Sequence, residues 1–173
     1  MAAPDHLNVL ERTLIDRLRD GTYNTTAGIG SGSAWDTADI TVFGQFPTTD
    51  QTKYPCIVTE MLANGIQEQF MGQKLTFGGS AKVGELYGVA FRLHIAVDRD
   101  STITVESEPY KERRLLNYLM INGANVVMDC DFSSTTTEMV ERQFSGFQDV
   151  GYNPESEIWA AMATLILVFK NDR

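Results

Sequence analysis

Few side chains in this chain are of a type and spacing that could do chemistry. There are two histidines, His6 and His94. His6 lies near the N-terminus. His94 alternates with Arg92 on one side of an apolar stretch, where a histidine is more often structural than catalytic. Asp98-x-Asp100-x-Thr102 resembles the opening of a calcium loop, but the central glycine and the closing acid at the required spacing are missing. Asp129 and Asp131 flank Cys130, and a solvated turn explains that pair equally well. Gly28, Gly30 and Gly32 suggest a phosphate-binding loop, yet no strand runs directly into them and no Lys-Ser/Thr ends them. No HExxH, GxSxG or Cys/His metal-ligand spacing occurs, and no local motif places a base beside a serine or threonine. The expectation is a non-enzyme with no cofactor, no metal and no catalytic residues. Cys56 and Cys130 are far apart and outside any CxxC, which favours two free core thiols over a disulfide.

The elements that would carry these residues are clearer. Residues 85–98 alternate strictly. Tyr87, Val89, Phe91, Leu93, Ile95 and Val97 form one side; Leu86, Gly88, Ala90, Arg92, His94 and Ala96 form the other. Period two over this length predicts a strand whose first side is buried. Residues 158–169 alternate in the same way but are apolar on both sides, which predicts a central strand covered on two faces. Residues 5–20 repeat Leu7, Leu10, Leu14, Ile15 and Leu18 at helical spacing, with Asp5 as a cap and Gly21 as the stop. A second helix is expected over 107–121, capped by Ser107, packing through Leu115, Leu116, Leu119 and Met120, and ended by Asn122-Gly123. Further strands are expected over 40–46, 54–62, 66–71 and 138–150. Asn64-Gly65 should turn 54–62 back onto 66–71 as a hairpin. Residues 125–130 form a short apolar piece, and 98–102, 133–137 and 151–157 turn.

Together these predict an α+β fold, a mostly antiparallel sheet of about five to six strands packed by two helices. The 173 residues are one domain on this reading, with extended loops over 21–36 and 72–84. Hydrophobic content of 43% and charged content of 21% are ordinary for a globular chain. A net charge of −9, with no basic cluster larger than Arg113-Arg114, argues against binding driven by phosphate neutralisation. Acidic excess with little lysine fits a host in high salt and also occurs in mesophiles. No signal peptide opens the chain, and no apolar run is long enough to span a membrane. Residues 72–84 carry Lys74, Phe77 and Lys82. They read either as a plain loop or as an arm that contacts a neighbouring subunit.

The order of elements resembles the tail terminator, or tail completion, proteins of long-tailed lambda-like phages and archaeal tailed viruses. The resemblance rests on an N-terminal helix, then Tyr54-Pro-Cys-Ile-Val-Thr-Glu, a polar excursion, and Phe91-Arg-Leu-His-Ile-Ala-Val. Glu112-Arg-Arg-Leu-Leu-Asn-Tyr-Leu-Met follows, and the chain closes on Gly151-Tyr-Asn-Pro-Glu-Ser-Glu-Ile-Trp-Ala-Ala-Met-Ala-Thr-Leu-Ile-Leu-Val-Phe. The C-terminal segment is its most specific part. Residues 21–36 and 40–46 and the length of 72–84 depart from the family's pattern. The resemblance implies a structural virion protein, assembled in the host cytoplasm and located at the tail and neck. It implies a homo-hexameric ring that caps the tail tube, ends its polymerisation and joins it to the neck or head-completion proteins. DNA would pass through the ring without specific binding, and no membrane is involved. Lys74, Phe77, Lys82, Arg92 and His94 are the candidate residues for contact with a neighbouring subunit or the tube. Another neck or tail ring protein, such as a head-closure protein or a tube subunit, is the alternative. A monomeric α+β ligand-binding domain is the reading from a different class.

Overall fold

Two long strands at the centre hold the molecule together in a computed structural model that describes residues 6–23, 32–33, 35, 39–48, 51–62, 67–77, 80–133 and 137–172. The chain runs α1 (His6–Asp20), β1 (Thr22–Tyr23), β2 (Gly32–Ser33), β3 (Thr41–Phe43), β4 (Cys56–Met61), β5 (Gln67–Phe77) and β6 (Ser80–Asp98). It continues through β7 (Thr102–Val105), β8 (Glu108–Lys111), α2 (Glu112–Asp129), β9 (Thr137–Phe144), β10 (Gln148–Asn153) and β11 (Ile158–Asp172). Strand β6 pairs antiparallel with β11 in unbroken register from Asp98↔Ile158 to Gly84↔Asp172. The fold is α+β. Among the described residues the main sheet has seven strands, antiparallel apart from β3, which runs parallel to β4.

Each central strand has an interrupted strand on its outer edge. Along β6 lie β4, from Cys56↔Ala96 to Met61↔Phe91, and then β5, from Gln67↔Gly88 onward. The expected hairpin between these two segments is not formed. Both run antiparallel to β6 on the same edge, so the chain carries on in one direction past Met61. The Asn64-Gly65 turn itself lies outside the described residues. Along β11 lie β9 and then β10, where a single strand over 138–150 was expected. Ser145 bridges that break. Its backbone N–H donates to Thr164 O at 2.9 Å, and its Oγ accepts from Thr164 N–H at 2.8 Å. These two bonds satisfy β11 backbone groups that the interrupted ladder would otherwise leave open.

One face of the sheet carries the core. Val89, Phe91, Leu93, Ile95 and Val97 of β6 are wholly buried, as the alternation predicts; the Tyr87 side chain lies outside the described part. They pack with Ala161, Leu165, Leu167 and Phe169 of β11, Leu10, Leu14 and Leu18 of α1, and Leu115, Leu116, Leu119, Val126 and Val127 of α2. Asp5, the expected cap of α1, lies outside the described residues. Gly21 ends α1 as expected, with φ +59° and its N–H donating to Arg17 O at 3.0 Å. A side chain there would also collide with Trp35, whose Nε1 donates to Leu18 O at 2.9 Å.

The start of the second helix differs from expectation. Residues 102–111 form the β7–β8 hairpin, and Glu106 and Ser107 are its turn, both at positive φ. Ser107 therefore caps nothing, and α2 begins at Glu112. Nor do Asn122 and Gly123 end the helix, which runs on through 125–129. Its exposed C-terminal carbonyls are held by Arg142 from β9, whose guanidinium donates to Met128 O and Cys130 O. Gly123 is buried in mid-helix. A Cβ there would lie 3.8 Å from Ile95 Cδ1 and Phe147 Cζ and 3.9 Å from Trp35 Cη2, ordinary contact distances. Gly123→Ala should therefore stabilise the fold by about 0.5–1 kcal/mol through reduced backbone entropy of the unfolded chain. A urea titration checks this; a lower midpoint would mean that the helix cannot approach β6 with a methyl between them.

Candidate functional site

The opposite face of the sheet is where the molecule departs most from expectation. Strand β11 is central, but it is covered on one face only. Its inner row is buried, while Ala160 and Ile166 on its outer row are exposed and Ile158, Met162, Thr164 and Val168 are half-buried. Alternating apolar residues on both faces of a strand look the same in sequence whether the second face meets the chain's own helices or another molecule.

Arg92 and His94 project from β6 onto this open face. Register places Thr164 and Glu60 on either side of Arg92, and Met162 and Val58 on either side of His94. Glu60 Oε2 lies 3.5 Å from Arg92 Nη1 and 3.6 Å from His94 Nε2. The Phe46 ring stands edge-on to the His94 ring at 4.8 Å between centroids, and Phe46 is itself largely exposed. Arg92 Nε and His94 Nε2 are buried atoms without a hydrogen-bond partner. Burial is the main influence on His94 and holds its pKa below the usual histidine value; Glu60 opposes that effect and Arg92 reinforces it. The imidazole thus stands between an arginine and a carboxylate and is held toward its neutral form.

A pH dependence follows. Because the folded pKa of His94 lies below its unfolded value, the unfolded chain binds the proton more readily as pH falls through the ordinary histidine range near 6.5. The stability linked to His94 is thus complete above that range and is lost on acidification. Relative to His94→Gln, the wild-type chain should lose stability as the solution is taken from neutral to mildly acid, as read by denaturant midpoints. A gap between the two proteins that stays constant with pH would contradict this.

Lys74, Phe77 and Lys82 are not near this cluster. Residues 72–84, expected as an excursion from the sheet, form instead the paired ends of β5 and β6, from Gln73↔Gly84 to Phe77↔Ser80. Lys74 stands opposite Val83, and Lys82 opposite Leu75; the side chains themselves lie outside the described part. Along β6, Lys82 is roughly 30 Å from Arg92 at strand rise. The five candidate residues thus belong to two surfaces, an arm and an open face. Among the described residues β11 ends opposite Gly84, and beyond that point β5 and β6 pair only with each other. A register shift in β5 between Gln69 and Gln73 marks the base of this arm.

The other candidates resolve as local structure. Asp98 Oδ1 accepts from Ser101 N–H at 2.9 Å and from the Ser101 hydroxyl, which closes the turn into β7. Asp131 Oδ1 accepts from Ser133 N–H at 2.9 Å. Among the described residues no cluster of three or more histidine, cysteine or carboxylate side chains could hold a metal ion. Cys56 and Cys130 are free and buried, and burial pushes both thiols up to about 11, so they are poor nucleophiles. Gly28 and Gly30 lie outside the described residues, and Gly32 is paired in β2. Among the described residues no helix is long and apolar enough to cross a membrane. Glu60 and Phe46 went unnoticed in the sequence, because only strand register brings them to His94. No protein-family model matches the chain, and no curated protein matches it.

Proposed function

We propose that this chain is a structural virion protein that closes into a ring, most simply of six copies, on the end of a viral tail tube. The ring ends tube polymerisation and presents a surface to the neck or head-completion proteins, and DNA passes through it without specific binding. The observation that carries this reading is the β5–β6 arm. Four residue pairs, from Lys74↔Val83 to Phe77↔Ser80, continue past the last residue of β11 as a two-stranded ribbon. A ribbon of that kind is marginal in water without something to pack on, and its sequence includes Leu75, Phe77 and Val83. A neighbouring copy supplies that packing surface in a ring. The open sheet face, with its half-buried apolar row, supports the same reading. So does the order of helix, proline-led strand, long strand, helix and C-terminal strand that underlies the resemblance to tail terminators.

The test is the assembly state of the purified protein, alone and with tail tubes, by native mass measurement and electron microscopy. One closed ring of fixed copy number that binds tube ends and goes no further is expected. Long filaments would make the protein a tube subunit instead. A strict monomer that never binds tubes would overturn the proposal.

A further inference from the structure

A ring needs two different complementary patches on each subunit, placed so that each copy's first patch meets the next copy's second. Resting on the ring reading above, we propose that the second patch is strand β9, and that the β5–β6 arm of one copy docks on the β9 edge of the next copy.

The two features lie on opposite edges of one sheet, the arm on the β6 side and β9 on the β11 side. That placement suits head-to-tail association, since both patches stay free on every copy until the ring closes. Their charges are complementary. Between Gln73 and Gly84 the arm carries Lys74 and Lys82 and no carboxylate, in a chain of net charge −9. Strand β9 carries Glu138 and Glu141, both exposed. Its one cation, Arg142, is turned away to the C-terminus of α2. Glu138 is held at 2.8 Å by Lys170 of β11, which fixes one carboxylate at the edge. Between the two acids Val140 is 55% exposed. It is the extra residue of a bulge, because Phe169 pairs with Met139 while Val168 pairs with Glu141. Register pairs Lys74 with Val83 and Leu75 with Lys82, so each face of the ribbon offers one lysine beside one apolar residue, which matches an apolar side chain flanked by carboxylates. The bulge also disfavours plain strand addition at this edge, so the contact is made through side chains. The arm fits within the edge: its four paired residues span roughly 13 Å, and the eight residues of β9 roughly 26 Å.

The experiment is a charge-swap series read by native mass and sedimentation, with circular dichroism confirming the fold of each variant. Lys74→Glu with Lys82→Glu should weaken ring assembly at least tenfold, and so should Glu138→Lys with Glu141→Lys. Glu141→Lys alone, which leaves the Lys170 pair intact, is the second acceptor variant should the double change fail to fold. Combining the arm and acceptor reversals in one chain should restore the ring, and wild-type rings should loosen as salt rises. If wild-type rings form and the reversed arm assembles as well as wild type, the docking assignment is overturned while the ring reading stands. A folded combined variant that stays monomeric overturns the assignment too. If the wild type never forms rings, the ring reading fails and the docking assignment falls with it.

Discussion

Ile95→Asp should abolish folding. Ile95 is wholly buried at the middle of β6, within the one core cluster that joins both helices to the central strands. Its Cδ1 lies under α2, 3.8 Å from where a Cβ at Gly123 would sit. The side chains around it are apolar, so a carboxylate there would be a charge buried in the hydrophobic core. Such changes cost upward of about 4 kcal/mol, against a total stability of roughly 5–15 kcal/mol for a domain. Ile95→Val, which removes one methyl group, should cost only about 1 kcal/mol and leave the protein folded. Circular dichroism with denaturant titration separates the two. Soluble Ile95→Asp protein with a cooperative transition would contradict the placement of the core.

Removing the arm should do the reverse, leaving the fold and taking away assembly. If Gln73 is joined to Gly84 through a two-residue Asn-Gly turn, the pairs from Gln67↔Gly88 to Gln69↔Leu86 remain, and so does every β6–β11 pair. The denaturant midpoint should move little, by about 1 kcal/mol or less, whereas ring formation should be lost. Unchanged rings would remove the arm from the interface. Loss of folding would show that the arm supports the sheet rather than a neighbour.

What could be read in advance, and what could not, follows from the range of the interactions involved. The alternation of β6 and β11 extends over more than ten residues, and side-chain period alone identifies such strands. The leucine stripe of α1 and its Gly21 stop are equally local. The β7–β8 hairpin stayed hidden because its turn is Glu106-Ser107, two residues that rarely adopt the positive φ it requires. Reading the opposite way, Asn122-Gly123 looked like a helix stop, yet α2 continues because tertiary contacts fill the space around Gly123 and Arg142 holds the far end. Whether 54–62 and 66–71 pair with each other or both with β6 depends on a third strand, which local pattern does not report. The same holds for the site. Arg92 and His94 were legible as polar residues on an otherwise small, apolar face. Glu60 and Phe46 join them only through the register of β4 on β6 and the path of the chain between β3 and β4.

The outward row of β11 shows the same limit in its most informative form. Met162, Ile166 and Val168 gave a pattern that fits a strand sandwiched between two layers of its own chain. The structure leaves that face open, with Ile166 38% exposed. Together with a ribbon that extends past the sheet, it is what a subunit would present if, as proposed above, its surfaces are completed by other copies and by a tube.

The central claim is that these copies cap a tail tube and end its growth. Imaging of virus particles produced with and without the gene tests it most directly, by the distribution of tail lengths and by whether tails join capsids. Without the protein, the account predicts tails of uncontrolled length that remain unjoined. Tails of normal length, attached to capsids in its absence, would contradict it.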